Sequence, residues 1–292
     1  MKRILLPCLI LLLGALAGCG GSSKATPPQV SVTVSPGTAS VIAGQTQQFT
    51  ATVSGASNTA VTWSLSGTGC SGAACGSIDA NGMYKAPSPI PASATVTVVA
   101  TSAADSSKQG TATVTHLPVV VAVTPATLTL ISADTKQFTA AVSNVAAGGS
   151  AGVTWTVTGG GSIDDNGLYT APAKVTVDAN VKVTATSKFD STKASSVTFV
   201  VKAALVTVSP ETIVMDAGGA QQRFVATVTN VPAGLNGVTW YLNGLGVLDL
   251  DGLYHSPMLV SAPATAIIQA VPVFDDSKVG KASVALNPLL VT

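Results

Sequence analysis

The sequence predicts an all-β protein made of three tandem β-sandwich domains that follow an N-terminal export signal. Three observations lead to this prediction. Apolar and polar residues alternate with the period of a strand, one set of landmarks recurs three times at a constant spacing, and a short apolar run near the N-terminus ends at a cysteine. The 292 residues are enough for three small domains.

The composition argues against two classes of protein. Only 9% of the residues are charged and the formal net charge is +1, so the chain lacks the basic surface of a nucleic-acid-binding protein. Disorder is disfavoured because 47% of the residues are hydrophobic and the net charge is small. The chain has two histidines, which leaves little material for histidine-based catalysis or metal binding.

The N-terminal segment has the features of a secretory signal. Lys2 and Arg3 precede the apolar run 4–13, which is too short to cross a bilayer as a helix. The next residues, Leu16-Ala17-Gly18-Cys19, resemble the lipobox of bacterial lipoproteins. That resemblance implies cleavage before Cys19 and acylation of its sulfur and its new amino group. The alternative is an ordinary signal peptide that contains Cys19 by coincidence.

The lipobox resemblance also implies a location. Several acyl chains on one residue anchor a protein stably, so the expected membrane partner is reached through the lipid on Cys19. The run Gly20-Gly21-Ser22-Ser23 is typical of a flexible tether. We therefore expect a chain that is secreted across the inner membrane and lipid-anchored. Gly20 after the cysteine implies, by analogy, the outer membrane or the cell surface.

One unit is repeated three times after the tether. Each copy carries a strand that ends in Ser-Pro or Thr-Pro, a Val-Thr-Trp strand and a turn that leads into a tyrosine. The turn glycines are 85 residues apart, and so are the tyrosines that follow them. These turns are Asn81-Gly82-Met83-Tyr84, Asn166-Gly167-Leu168-Tyr169 and Asp251-Gly252-Leu253-Tyr254. A period this long fits a small autonomous domain.

The repeat sets the predicted domain boundaries. We expect a signal peptide over 1–18, a lipidated cysteine with its tether over 19–28, and domains over 29–117, 118–203 and 204–292.

Within each copy the hydrophobic pattern has a period of two. Phe49, Ala51 and Val53 alternate with threonines, and strands with one apolar face need a second sheet to cover that face. The Asn-Gly and Asp-Gly pairs predict hairpins with type I′ turns, in which both central residues have positive φ. About seven strands per copy, with a tryptophan on the third, predict an immunoglobulin-like sandwich.

The recurring motifs resemble the bacterial Ig-like group 2 family. They are the Val-Ser-Pro opening, the Val-Thr-Trp strand, the Asp-x-Asn-Gly-x-Tyr turn with Ala-Pro after it, and an Asp-Ser-x-Lys hairpin. The resemblance covers the chain from Gln29 onwards and implies extracellular modules of adhesins, surface enzymes and stalks without activity of their own. Copy 3 departs from the motif, because His255 and Ser256 precede Pro257.

The four cysteines fall into three groups. Cys8 lies in the predicted signal and Cys19 is the predicted lipidation site. Cys70 and Cys75 lie in a glycine-rich insertion found only in copy 1, and an oxidising compartment favours a disulfide between them. Free thiols and a metal site are the alternatives. A metal site would need two more ligands, and His116 is expected outside this loop, in a linker.

No other constellation predicts chemistry. The acidic turns that precede Gly82, Gly167 and Gly252 offer one or two carboxylates each, so they indicate turn formation, with weak calcium binding as the alternative. Neither histidine has a recognisable nucleophile beside it, and no cofactor is expected. The recurrent tryptophans are in phase with inward-facing valines and are expected in the core, with a sugar-stacking surface as the alternative; they are Trp63, Trp155 and Trp240.

The sequence thus predicts a non-enzymatic, lipid-anchored cell-surface protein that acts as a structural or adhesive stalk. The alternative is a carbohydrate-binding or cell-wall-associated module, which exposed aromatic residues in copy 3 such as Tyr241 would favour. A glycan or protein ligand at the cell surface is the expected partner. The divergent segment 255–260 of copy 3 is a candidate contact patch at the free tip.

Overall fold

The computed structural model describes residues 29–68, 71–90 and 94–289. The predicted signal peptide, Cys19 and Cys70 lie outside these residues. Within them the chain forms 27 strands and one short 3-10 helix, with nine strands in each of three modules. The predicted fold class of three tandem immunoglobulin-like sandwiches is confirmed.

The strands of the three modules occupy equivalent positions in the repeat. In module 1 they are β1 (Ser31–Ser35), β2 (Thr38–Val41), β3 (Thr46–Gln48), β4 (Thr50–Ser54), β5 (Val61–Thr68), β6 (Ser77–Ile78), β7 (Met83–Lys85), β8 (Thr95–Ser102) and β9 (Gln109–His116). In module 2 they are β10 (Val120–Thr124), β11 (Thr129–Ile131), β12 (Thr135–Gln137), β13 (Thr139–Ser143), β14 (Val153–Thr158), β15 (Ser162–Ile163), β16 (Leu168–Thr170), β17 (Ala179–Ser187) and β18 (Ala194–Lys202). In module 3 they are β19 (Leu205–Ser209), β20 (Thr212–Asp216), β21 (Gln221–Arg223), β22 (Val225–Thr229), β23 (Val238–Asn243), β24 (Val247–Leu248), β25 (Leu253–His255), β26 (Ala264–Pro272) and β27 (Gly280–Asn287).

Each module packs a four-stranded sheet against shorter strands. In module 1 the larger sheet has the order β2-β9-β8-β5, and it faces the pair β1-β4 and the group β3-β7-β6; modules 2 and 3 repeat this order. The pairs β2–β9, β11–β18 and β20–β27 are parallel, and all other pairs of described strands are antiparallel. The second and last strands of every module therefore lie side by side in its larger sheet.

The count of nine strands exceeds the expected seven because two predicted strands are divided. The first is divided at Pro36, after which the chain moves from the partner β4 to the partner β9. The strand that begins at Gln48 is divided at Phe49, whose N–H donates to the carbonyl of Gly82 at 2.9 Å. Each division lets one stretch of chain contribute to two groups of strands.

The core of each module is built on a phenylalanine and a tyrosine that are fully buried, at Phe49 and Tyr84 in module 1. The recurrent tryptophans pack against this core, as expected, but they are only partly buried. The reason is their place on β5, β14 and β23, which form an edge of the four-stranded sheet. An edge strand has a neighbour on one side only, so part of a large ring stays in contact with solvent.

The prediction of type I′ turns is wrong, although the hairpins themselves are present. In module 1, φ is positive at Gly82 (82°) and not at Asn81. The N–H of Gly82 donates to the carbonyl of Asp79 at 3.1 Å, and the Asp79 carboxylate accepts the N–H groups of Asn81 and Met83. A Cβ at position 82 would lie 2.5 Å from the carbonyl oxygen of Phe49 and 2.9 Å from the Trp63 ring. This turn therefore requires glycine both for its positive φ and for lack of space for a side chain.

Candidate functional site

A buried tyrosine forms an equivalent hydrogen bond in every module. Its hydroxyl donates to the carbonyl of the residue nine positions earlier: Tyr84 to Cys75 at 2.7 Å, Tyr169 to Gly160 at 3.1 Å, and Tyr254 to Leu245 at 2.6 Å. Burial raises the pKa of Tyr84 to about 12, so its hydroxyl stays protonated and donates. We regard these tyrosines as structural residues.

His116 is not in a linker, and that expectation is wrong. It is the last residue of β9, where it pairs with Val41 of β2, and its side chain is only 1% exposed. The Nε2 atom lies 2.5 Å from the hydroxyl of Tyr84. Since the tyrosine donates its one proton to Cys75, Nε2 of His116 is the donor and Nδ1 carries no proton. Burial lowers the pKa of His116.

The region around His116 also contains Cys75, which is buried at the end of the 3-10 helix Gly72–Cys75. The structure thus links the side chains of His116 and Tyr84 to the backbone carbonyl of Cys75 in one buried hydrogen-bonded group that sequence reasoning missed. The repeat spacing carries the signal that could have found it, because the positions equivalent to His116 are the core residues Val201 and Leu286. The Cys70–Cys75 disulfide and the lipidation of Cys19 stay predictions, since Cys70 and Cys19 are not among the described residues.

The acidic turns use their carboxylates internally. Asp164 accepts the N–H groups of Asn166 and Leu168, as Asp79 does in its own turn. In module 3 the carboxylate of Asp251 pairs with Arg223 at 2.8 Å, and the hydrogen bond from Arg223 lowers the pKa of Asp251. Among residues 29–68, 71–90 and 94–289, no three His, Cys, Asp or Glu side chains are grouped so that they could hold a metal ion.

The junction between modules 1 and 2 joins the end of one sandwich to the loops of the next. Residues 42–46 and Ser88 of module 1 line one cleft together with Ala146, Ala147 and Phe189 of module 2. The connecting residue Val119 is buried at this junction. The far end of module 1 therefore serves as a receiving surface for module 2.

The junction between modules 2 and 3 uses the equivalent surfaces but is more polar. Lys174 of module 2 pairs with Asp276 of module 3 at 3.1 Å, and the ammonium group of Lys278 donates to the carbonyl of Thr176. The connecting residue Ala204 is buried, as Val119 is at the first junction. Both junctions thus repeat one arrangement, in which the far end of a module contacts the loops at the near end of the next.

The far end of module 3 has no following module among the described residues. Met258 is 75% exposed, Leu259 is 73% exposed and Leu289 is 46% exposed. The predicted contact segment 255–260 is only partly at the surface, because Ser256 and Val260 are buried. Ser256 donates its hydroxyl proton to the carbonyl of Asp216, which fixes the loop that presents the exposed residues.

Tyr241 is the aromatic residue that the sequence singled out as a test of glycan binding. Its side chain is 51% exposed on β23. It is paired across the sheet with Gln269 of β26, which in turn is paired with Lys281 of β27. The outer face of the four-stranded sheet therefore carries a row of an aromatic ring, an amide and an ammonium group. The equivalent residues of the other modules are Ser64 and Thr156.

The strand order of the sheets and the buried connections between modules define a tandem immunoglobulin-like repeat protein. No protein-family model matches the chain, and no curated protein does. The chain is similar to the solved structure of three N-terminal domains of the Highly Immunogenic Outer Capsid protein (Hoc) of bacteriophage RB49, with 13% identity over 89% of this chain and 99% of that chain and a TM-score of 0.34.

Two further solved structures resemble the chain at a similar level. The four N-terminal Ig domains of Dscam1 isoform 1.9 show 12% identity over 89% of this chain and 73% of that chain, with a TM-score of 0.25. Human CDH23 EC21-23 shows 14% identity over 85% of this chain and 96% of that chain, with a TM-score of 0.27. No helix in the described part of the chain is long and apolar enough to span a membrane.

Proposed function

We propose that this protein is a lipid-anchored, non-enzymatic stalk of the bacterial cell surface whose outermost module meets the partner. The observation that carries the proposal is the contrast between module ends. The far ends of modules 1 and 2 lie against the next module, whereas the far end of module 3 presents the exposed side chains of Met258 and Leu259. A chain of joined modules that exposes apolar side chains at the far end of module 3 suits a spacer that carries a contact surface away from its anchor.

The anchor in this proposal is the lipid on Cys19, at the end opposite to module 3. The motif Leu16-Ala17-Gly18-Cys19 supports it, together with the short apolar signal before it. The bacterial Ig-like group 2 resemblance supports a surface location and modules that have no activity of their own. A location at the outer membrane or the cell surface belongs to the same proposal.

The experiment that tests the anchor replaces Cys19 by Ser and follows the protein through membrane fractionation and labelling with fatty acid. We expect Cys19→Ser to abolish the label and to release the protein from membranes. Cys8→Ser is the matched control, because Cys8 lies in the predicted signal and should leave labelling unchanged. Retention of label by Cys19→Ser, or loss of label from Cys8→Ser alone, would contradict the lipobox assignment.

A second function, the binding of glycans by module 3, is favoured by the row Tyr241–Gln269–Lys281. An exposed ring can stack on the apolar face of a sugar, while the amide and the ammonium group can bind its hydroxyl groups or a carboxylate. The test compares Tyr241→Ser, which installs the kind of residue found in modules 1 and 2, with Val247→Ser, which makes the same kind of change at another exposed position. Glycan retention lost in both variants, or in neither, would oppose this role of Tyr241.

A further inference from the structure

The outer face of the four-stranded sheet in module 3 differs in chemistry from the same face in the other modules. The positions of the row Tyr241–Gln269–Lys281 carry shorter side chains in both of them. They are Ser64, Val99 and Thr111 in module 1, and Thr156, Thr184 and Ser196 in module 2. Three positions on three different strands have therefore changed together, to an aromatic ring, an amide and an ammonium group.

The polar groups of this row are not used inside the protein. In module 2, the hydroxyl groups of Thr184 and Ser196 lie 2.9 Å apart and bond to each other. The side chains of Tyr241, Gln269 and Lys281 make no hydrogen bond with any residue that the structure describes. By contrast, the side-chain amide of every glutamine from position 45 to 222 takes part in a hydrogen bond. The amide of Gln269 is thus available to a ligand.

The order of groups along the row defines the ligand that fits it. Neighbouring strands lie about 4.8 Å apart, so the backbones of Tyr241 and Lys281 are separated by roughly 10 Å across β26. A ring stacked on Tyr241 has the amide of Gln269 beside it and the ammonium group of Lys281 beyond it. A ligand with an apolar face, then hydroxyl groups and then a negative group matches this order.

The charges around the row favour a negative group at Lys281. Module 3 has more acidic than basic residues, but four of its aspartates are hydrogen-bonded to a neighbouring side chain elsewhere: Asp249 to His255, Asp251 to Arg223, Asp275 to Ser277 and Asp276 to Lys174. Asp216 pairs with Asn287, six residues beyond Lys281 on β27. That separation is roughly 20 Å along the strand, which exceeds the screening length of about 8 Å at physiological salt.

Glu211 is the one carboxylate of module 3 that lies close to Lys281 among the described residues. The two side chains line the same cleft on the edge between β19 and β27, and no ion pair joins them. Lys281 therefore has an ammonium group without a fixed counter-charge, and Glu211 weakens its attraction for an anion. This neighbour gives the inference a second, opposite test.

We propose that the row Tyr241–Gln269–Lys281 binds glycans that carry carboxylate groups, such as chains of uronic acids. The ring of Tyr241 stacks on the apolar face of a sugar, and the amide of Gln269 binds its hydroxyl groups. The ammonium group of Lys281 pairs with a carboxylate further along the glycan. The inference rests on the second proposed function, glycan binding by module 3, and adds to it the class of glycan.

The test measures retardation of the full chain with Cys19→Ser in native gels that contain polygalacturonate or its methyl ester. The two polymers share one sugar backbone and differ in the charge of their carboxyl groups. Because the contact of Lys281 is charge-assisted, we expect an apparent Kd about tenfold lower for the acid polymer than for the ester. Dextran sulfate, a strongly anionic polymer without carboxylates, should retard the chain less than polygalacturonate does.

Four variants assign this preference to residues. Lys281→Gln should bind the acid polymer and the ester equally. Lys136→Gln is the matched control, because it removes the charge of another exposed strand lysine, in module 2, and should leave the preference unchanged. Glu211→Gln should tighten binding to the acid polymer alone, and Tyr241→Ser should weaken binding to both polymers.

Four results would overturn the inference. They are equal binding of acid and ester by the unmodified row, a preference that survives Lys281→Gln, equal losses in Lys281→Gln and Lys136→Gln, and equal retardation by dextran sulfate and polygalacturonate. If acid and ester bind equally and Tyr241→Ser abolishes both, glycan binding by module 3 still stands. If Tyr241→Ser changes neither, that function and this inference fail together.

Discussion

The buried His116 makes module 1 sensitive to acid in a way that modules 2 and 3 are not. In the folded module, Nδ1 of His116 has no hydrogen-bond partner and is shielded from water, and burial lowers the pKa of this histidine. In the unfolded chain the histidine regains its ordinary pKa of about 6.5. Below that pH the unfolded state binds a proton that the folded state does not, so the free energy of unfolding falls as the pH falls.

The size of this loss of stability is limited by the uptake of one proton. The free energy of unfolding of module 1 can change by at most about 1.4 kcal/mol per pH unit from this group, over the window from pH ~6.5 down to the lowered pKa of the folded module. The titration of Asp105 does not affect the stability of module 1 in this pH range. Hydrogen bonds from Ser107 lower the pKa of Asp105, so its contribution is lost only at more acidic pH, as the pH falls through that lowered pKa.

The measurement is hydrogen exchange resolved by module, at pH 7 and pH 5, with the intrinsic pH dependence of exchange removed. We expect module 1 to lose stability relative to modules 2 and 3. His116→Leu should abolish this loss, because module 3 has Leu286 at the equivalent position. The substitution removes the unpaired Nδ1 atom but also the hydrogen bond from Nε2 to Tyr84, so these two effects on stability oppose each other. An equal loss in all modules, or an unchanged loss in His116→Leu, would refute this reasoning.

Three other substitutions are expected to act on single modules, each measured by the same exchange experiment. Gly167→Ala should destabilise module 2 more than Gly148→Ala does. Both glycines have positive φ, which costs alanine about 1–2 kcal/mol, but of the two only a Cβ at position 167 would meet a carbonyl oxygen, that of Phe138 at 2.5 Å. Equal effects of the two substitutions would contradict the turn geometry. Tyr169→Phe should cost module 2 about 0.5–1.5 kcal/mol through the lost hydrogen bond to Gly160, and no cost would mean that the bond contributes nothing. Cys70→Ser should cost module 1 about 2 kcal/mol if the short loop to Cys75 is closed by a disulfide, and a reducing agent should have the same effect on the unmodified chain but none on the variant.

The repeat and the period of two were sufficient to predict the three sandwiches. Phe49 and its equivalents are buried where the alternation placed them, because the pattern reports which face of a strand is apolar. Partial exposure of Trp155 was not predictable in the same way. It depends on whether a strand lies at an edge of its sheet, and strand order is a long-range property that alternation does not carry.

The turn at Gly82 and the contact of His116 were likewise not predictable from the sequence pattern, because both depend on residues from other strands. An Asn-Gly pair is compatible with several turns, and the choice in module 1 depends on the Asp79 side chain and on the approach of Phe49 from another strand. His116 looked like a linker residue because the next landmark, Pro118, follows so closely. Alignment with Val201 and Leu286 assigns it to the core, whereas its contact with Tyr84 required the folded chain.

The parallel pairing of the second and last strands of each module has a consequence for a chain under tension. A pull on the two ends of a module acts along such a pair in opposite directions, so its hydrogen bonds are sheared together rather than unzipped one at a time. The paired stretch covers four residues in module 1 (Thr38–Val41), three in module 2 (Thr129–Ile131) and five in module 3 (Thr212–Asp216). From the number of paired residues we expect module 2 to yield at the lowest force and module 3 at the highest.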